Sequence, residues 1–265
     1  MIRFASRSSL FAAALVACVT PCLTAQGSAS PRTGSDVLEA MRAAYAGKWY
    51  HSLTFTQKTT RRTQDGTERV QTWYETLAHT AAAGTRLRID FGELSAGNGV
   101  IYTADSSFNV RGGKLQSADA SGNEFLPLIE GVYFNPVDQT IRELSSTKTD
   151  MSRVIEGSYQ NRRVWIIGAA STADTTSPQI WIDAERNVAV RAILSPAANM
   201  PMLDIHLDGY VPIDGTWLAS KIAMMQGGVP RQTEEYRDWK VNVDLPASLF
   251  AVATWTTSPH WAKRP

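Results

Sequence analysis

Apolar and polar residues alternate with period two along most of this chain. The clearest instance is the stretch 177–194. Ile180 and Ile182 alternate there with Gln179, Trp181 and Asp183, and Val188, Val190 and Ala192 alternate with Ala189, Arg191 and Ile193. Residues 183–187 supply the polar reversal. Successive strand side chains point to opposite faces, so this spelling predicts a β-hairpin with one apolar and one mixed face. The same period recurs at 50–58, 70–77, 86–91, 99–103 and 107–110, where Arg111-Gly112-Gly113-Lys114 closes the run. It returns at 152–159, 164–167, 202–210, 217–225 and 231–243, with reversals at Asp214-Gly215 and Gly227-Gly228. The pattern is that of an antiparallel meander.

Two stretches change to the helical period. Leu38, Met41 and Tyr45 form an i, i+3, i+7 stripe, with Ser35 or Asp36 as the expected cap and Gly47 as the expected stop. In the middle, 125–134 is apolar, and Asn135-Pro136 restarts a helix carrying Val137, Ile141 and Leu144, with the asparagine as cap. Residues 245–250 spell a closing turn, and 255–265 carry no period.

The first 25 residues read as an export signal. Arg3 and Arg7 open it, 10–19 is apolar, Pro21 breaks it, and Leu23-Thr24-Ala25 offers a cleavage site. An apolar run of about 10 residues is well short of the ~20 that a spanning helix needs. Leu15-Val16-Ala17-Cys18 offers a second fate, because it fits the pattern preceding a lipid-modified cysteine; Cys18 would then anchor the chain to a membrane. Either route predicts a periplasmic location. Residues 26–34 read as a flexible linker, 35–255 as a single domain and 256–265 as a tail.

Composition narrows the function. With 43% apolar residues, 19% charged and eight each of Trp, Tyr and Phe, the chain can bury a large core. Taking Arg3 and Arg7 from the 26 basic residues leaves 24 against 25 acidic, a net charge of about −1. No basic field is available for nucleic acid. The two cysteines, Cys18 and Cys22, both lie in the leader, so no disulfide framework exists.

The order of elements, with P-Q-I-W-I-D…R-N-V-A-V-R at 178–191 and G-Y-V-P-I-D-G-T-W-L…E-E-Y-R-D-W-K-V-N-V-D-L-P-A-S-L-F at 209–250, resembles the LolA-like, outer-membrane lipoprotein-sorting superfamily. LolA, LolB and the N-terminal domain of RseB share its fold. The resemblance implies a mainly β domain with inserted helices: a curved antiparallel sheet, or half-open β-barrel, covered by helices around an apolar cavity. It implies acyl chains or lipoproteins as cargo. Leu53, Phe55, Leu87, Ile89, Ile180 and Ile182 on strands, with Leu128, Val132 and Tyr133 on the inserted helix, would line the cavity. The alternative is a non-carrier regulatory or binding module of the envelope, acting on an envelope membrane protein. A monomer is expected.

The residues offer little catalytic chemistry. Asp204, His206 and Asp208 share one strand face and could ligate a metal, but Leu203, Ile205 and Leu207 opposite them make a solvated strand face the better account. Glu234 and Glu235 with Arg231 and Arg237 also read as a charged outer face. No nucleophile elbow, Walker loop or paired-cysteine motif occurs, so neither enzyme activity nor a cofactor is expected.

Overall fold

The structure is a computed structural model that describes residues 30–195 and 201–262. The expected leader and its Cys18 lie outside the described residues. One helix, α1 (Gly34–Ala44), precedes six strands: β1 (Ser52–Arg62), β2 (Glu68–Thr80), β3 (Gly84–Phe91), β4 (Gly99–Tyr102), β5 (Ser107–Arg111) and β6 (Lys114–Asp119). A helical segment follows, with α2 (Leu126–Ile129), a 3-10 turn (Gly131–Tyr133) and α3 (Val137–Glu143). The second series comprises β7 (Val154–Tyr159), β8 (Arg162–Ile167), β9 (Gln179–Asp183), β10 (Ala189–Leu194), β11 (Leu203–Asp208), β12 (Val211–Ile213), β13 (Thr216–Leu218), β14 (Lys221–Gln226) and β15 (Val229–Val241).

Thirteen of these strands form one antiparallel sheet in the order β6-β5-β4-β3-β2-β1-β15-β14-β11-β10-β9-β8-β7, and β12 pairs with β13 separately. The first and last strands therefore meet mid-sheet, and β6 and β7 are its two edges. The sheet does not close into a barrel. This topology dictates where the helices go. The chain leaves one edge at β6 and must reach the other at β7, so the 120–153 connection has to cross the sheet.

Residues paired across antiparallel strands share a face. Leu53, Leu77 and Leu87 form one such row, and Phe55, Glu75, Ile89 and Val100 the next. Ile167, Ile180, Ala192, Ile205 and Met224 continue the face on the other side. Val37, Leu38 and Met41 of α1 and Leu126, Leu128, Val132 and Tyr133 of the crossing segment pack with this face in the main core.

Several expectations are corrected in detail. Thr33, not Ser35 or Asp36, caps α1. Its side chain accepts from the Asp36 amide, and Asp36, at the third helical position, accepts from the Thr33 amide: a capping box. The helix stops at Ala44, before Gly47. Asn135 is not a cap either, since its amide donates to the Glu143 carboxylate at 3.2 Å. In the 177–194 hairpin, a bulge between Ala189 and Arg191 moves Ala189 onto the face of Ile182, and all five residues of β9 are buried. Asp183 shapes the reversal: its Oδ1 accepts from the amides of Glu185 and Arg186 at 3.0 and 2.8 Å. Residues 217–225 break into β13 and β14, and β6 extends the first meander beyond the expected closing loop.

The opposite, outer face of β3 is also covered. Arg86, Arg88 and Asp90 do point away from the main core, as the alternation requires, but Arg88 and Asp90 lie almost fully buried under residues 247–261. Arg88 donates to Asp90 through Nε and Nη2, both at 2.7 Å, and to the carbonyls of Leu249 (3.0 Å) and Trp255 (3.1 Å). Its guanidinium sits 3.9 Å from the Trp255 ring centre. His260 Nε2 lies 3.2 Å from Asp90 Oδ2, and Trp261 Nε1 donates to Thr76 Oγ1 at 2.8 Å. Gly99 makes room for this: a Cβ there would stand 2.0 Å from the Ile89 carbonyl oxygen and 2.7 Å from the Trp255 ring.

Candidate functional site: an apolar cavity with buried carboxyls

Between the core-facing side of the sheet and the crossing segment lies a cavity, partly open to solvent. Its floor is Leu53, Phe55, Glu75, Leu77 and Leu87 from β1–β3, with Leu207, Ile222 and Tyr236 from the second meander. Its roof is Leu126, Ile129, Glu130 and Tyr133. Trp49, Tyr50, Val188 and Ala189 close one side, and Tyr210, Trp217, Leu218 and Ala219 the other. The centres of water-sized spheres have about 80 Å³ in which to move. With a water's share of liquid volume about 30 Å³, that is room for a few molecules.

Four of the residues singled out from the sequence meet here: Leu53, Phe55, Leu87 and Tyr133. Ile89, Leu128, Val132, Ile180 and Ile182 are buried in the surrounding core and do not line the space. Two carboxyls that the sequence reading passed over do line it, and each is held differently.

Glu130 is tied into the roof. Tyr50 Oη donates to its Oε1 at 2.6 Å and Trp49 Nε1 to its Oε2 at 2.8 Å. Burial pushes its carboxyl up, the two donors hold it back, and it settles at about 7. Stacking reinforces the attachment, because the Trp49 and Tyr133 rings lie 3.5 Å apart between centres at 17°.

Glu75 has no such support. It sits on β2 between Trp73 and Leu77, 6% exposed, and among the described residues no donor reaches its carboxylate. Burial and the neighbouring Glu234 both push its carboxyl well above the ordinary range. Glu234 belongs to the same buried face, which corrects its assignment to a charged outer strand face. It accepts from Tyr236 Oη at 2.6 Å and also from Gln232. Glu235 does face outward, 3.3 Å from Lys58. The signal for Glu75 was present in the sequence: two positions from Trp73 and two from Leu77, the period puts its carboxylate on the inward face.

The Asp204, His206 and Asp208 face uses its polar atoms internally. Arg191 donates to both Asp204 oxygens at 2.8 and 2.7 Å, and Tyr159 Oη donates to Asp208 at 3.0 Å and lies 2.9 Å from His206 Nδ1.

No protein-family model and no curated protein sequence matches this chain. Solved structures do. One described as an outer membrane lipoprotein-sorting protein domain, from Vibrio parahaemolyticus, has a TM-score of 0.58 at 11% identity over 84% of this chain and 98% of its own. A DUF1329 family protein from Desulfovibrio piger has a TM-score of 0.57 at 12% identity, covering 82% and 95%. A LolA superfamily protein from Nitrosomonas europaea has a TM-score of 0.50 at 12% identity, covering 83% and 97%. At such identity the likeness is one of architecture, and it agrees with the open antiparallel sheet crossed by helices: the chain has a LolA-like fold.

Proposed function

We propose that this chain is a carrier of the cell envelope that holds an acyl chain, or the acylated end of a lipoprotein, in the cavity between the sheet and the crossing segment. The observation that carries this reading is the cavity itself: apolar side chains from seven strands of the large sheet, the helical roof and the β12–β13 hairpin surround room they do not fill. The export-like leader and the description of the Vibrio neighbour support it. Transfer of a chain from water into such a lining is favourable by about 0.8 kcal/mol per methylene, so eight methylenes supply roughly 6 kcal/mol before ordering costs. A longer chain needs the roof to lift, and the roof is a short helix and a 3-10 turn anchored through Glu130. The protein's part is to exclude water and to release cargo when that anchor yields; no bond is made or broken.

The test is uptake. The protein without its leader is extracted for lipid mass spectrometry and titrated with N-phenyl-1-naphthylamine, a neutral probe that fluoresces in apolar surroundings. Co-purified lipid or saturable uptake is expected, and Ala219→Phe, which fills the cavity from its side, abolishes it. Absence of both lipid and uptake sinks the proposal.

A further inference from the structure

The unpartnered carboxyl inside this cavity goes beyond a generic acyl site. Buried carboxylates ordinarily keep hydrogen-bond or ionic partners, because an isolated one forfeits its hydration with nothing in return. In this same interior Glu130 takes two donors and Glu234 takes two, whereas Glu75 takes none among the described residues. It lines the cavity at its β2 wall and is 94% buried by its 6% exposure. The charge that acts on it is that of another acid, Glu234.

A fatty acid fits this poorly. Its carboxylate would either remain at the mouth or add a third acid beside Glu75 and Glu234, where ionisation is already disfavoured, and it brings no donor of its own. A head that brings a positive charge and N–H donors completes Glu75 instead, supplying both the counter-charge and the hydrogen bonds it lacks. We propose that the cavity's cargo is an apolar chain bearing a primary ammonium head, and that Glu75 is the residue that receives that head. This rests on the carrier reading for the chain and adds the chemistry of its polar end.

The experiment displaces N-phenyl-1-naphthylamine with decylamine, decan-1-ol and decanoate at mildly alkaline pH, using the leaderless protein and its Glu75→Gln and Glu75→Leu variants. Both variants replace a buried unpaired acid, so neither threatens folding. Decylamine is expected to bind at least about tenfold more tightly than the alcohol or the acid, a 1.4 kcal/mol preference, and to lose that advantage in both variants. If the three ligands compete equally in wild type and variants, the head-group assignment is overturned while the cavity reading stands. If the alcohol matches the amine, a charged head is excluded and the assignment falls in the same way. If the neutral probe never enters, the carrier reading itself fails and takes this one with it.

Discussion

Tyr50 and Glu130 are joined by a 2.6 Å hydrogen bond that ties the segment following α1 to the roof of the cavity. The carboxyl it serves titrates at about 7 in the fold, against an ordinary value of 4.5. Between those values the folded state holds a proton that the unfolded chain releases. This group's contribution to stability is therefore full below about pH 4.5 and declines as pH rises through 7, by roughly 3 kcal/mol in all. Urea midpoints of wild type and Glu130→Gln, compared between about pH 5 and about pH 8, should show a smaller alkaline loss in the variant. An unchanged pH profile would contradict the assignment of this titration to Glu130.

Tyr50→Phe removes one of the two donors and leaves Glu130 Oε1 buried without a partner. Destabilisation of about 1–3 kcal/mol is expected near neutral pH. Because a donor to the carboxylate is lost, the folded carboxyl rises further, and the alkaline loss of stability should continue to higher pH and be larger than in the parent.

Arg88 and Asp90 make a different kind of buried pair, doubly hydrogen-bonded and capped by His260. Burial alone would raise the Asp90 carboxyl, but the hydrogen bonds from His260 and Arg88 outweigh it, and the carboxyl lies below the ordinary range. Its contribution is thus present above the unfolded value and fades as pH falls through the folded one. Asp90→Ala should cost about 3–5 kcal/mol by chemical denaturation, since it strands a guanidinium beneath the 247–261 segment. A loss under 1 kcal/mol would show that the arginine finds other partners.

Gly99→Val forces a branched side chain against the Ile89 carbonyl and the Trp255 ring, where even a Cβ is too close. We expect a loss of several kcal/mol, accompanied by a red shift and quenching change in tryptophan emission as Trp255 is displaced. Glu75→Leu should act in the opposite sense, raising stability by about 1–3 kcal/mol, because it replaces an unpaired buried acid with an apolar group on an apolar face.

The strands were legible because one rule governs them. In residues 86–91, Leu87, Ile89 and Phe91 alternate with Arg86, Arg88 and Asp90, and the two sets do occupy opposite faces. What alternation does not say is whether the polar face meets water. Arg88 and Asp90 look solvated in sequence, and they are buried because 247–261, a stretch with almost no period, lies over them. The same blindness hid two acids on the inward face. Glu75 and Glu234 stand at inward positions, yet a carboxylate in a strand suggests solvent unless the neighbours' faces are followed strand by strand. The helix caps were misplaced for a simpler reason: Thr33, Ser35 and Asp36 all have capping chemistry, and only the backbone turn at Thr33 decides among them.

The seam between β1 and β15 has a consequence for how the molecule is assembled. Leu53 faces Val241 and Gln57 faces Tyr236, so the central pairing joins segments almost two hundred residues apart. A chain emerging from a ribosome presents β1 with one bare margin until β15 has appeared. Folding of the whole must wait on that last long-range closure, which makes it slow relative to helical proteins of similar size and exposes an adhesive edge in the interval.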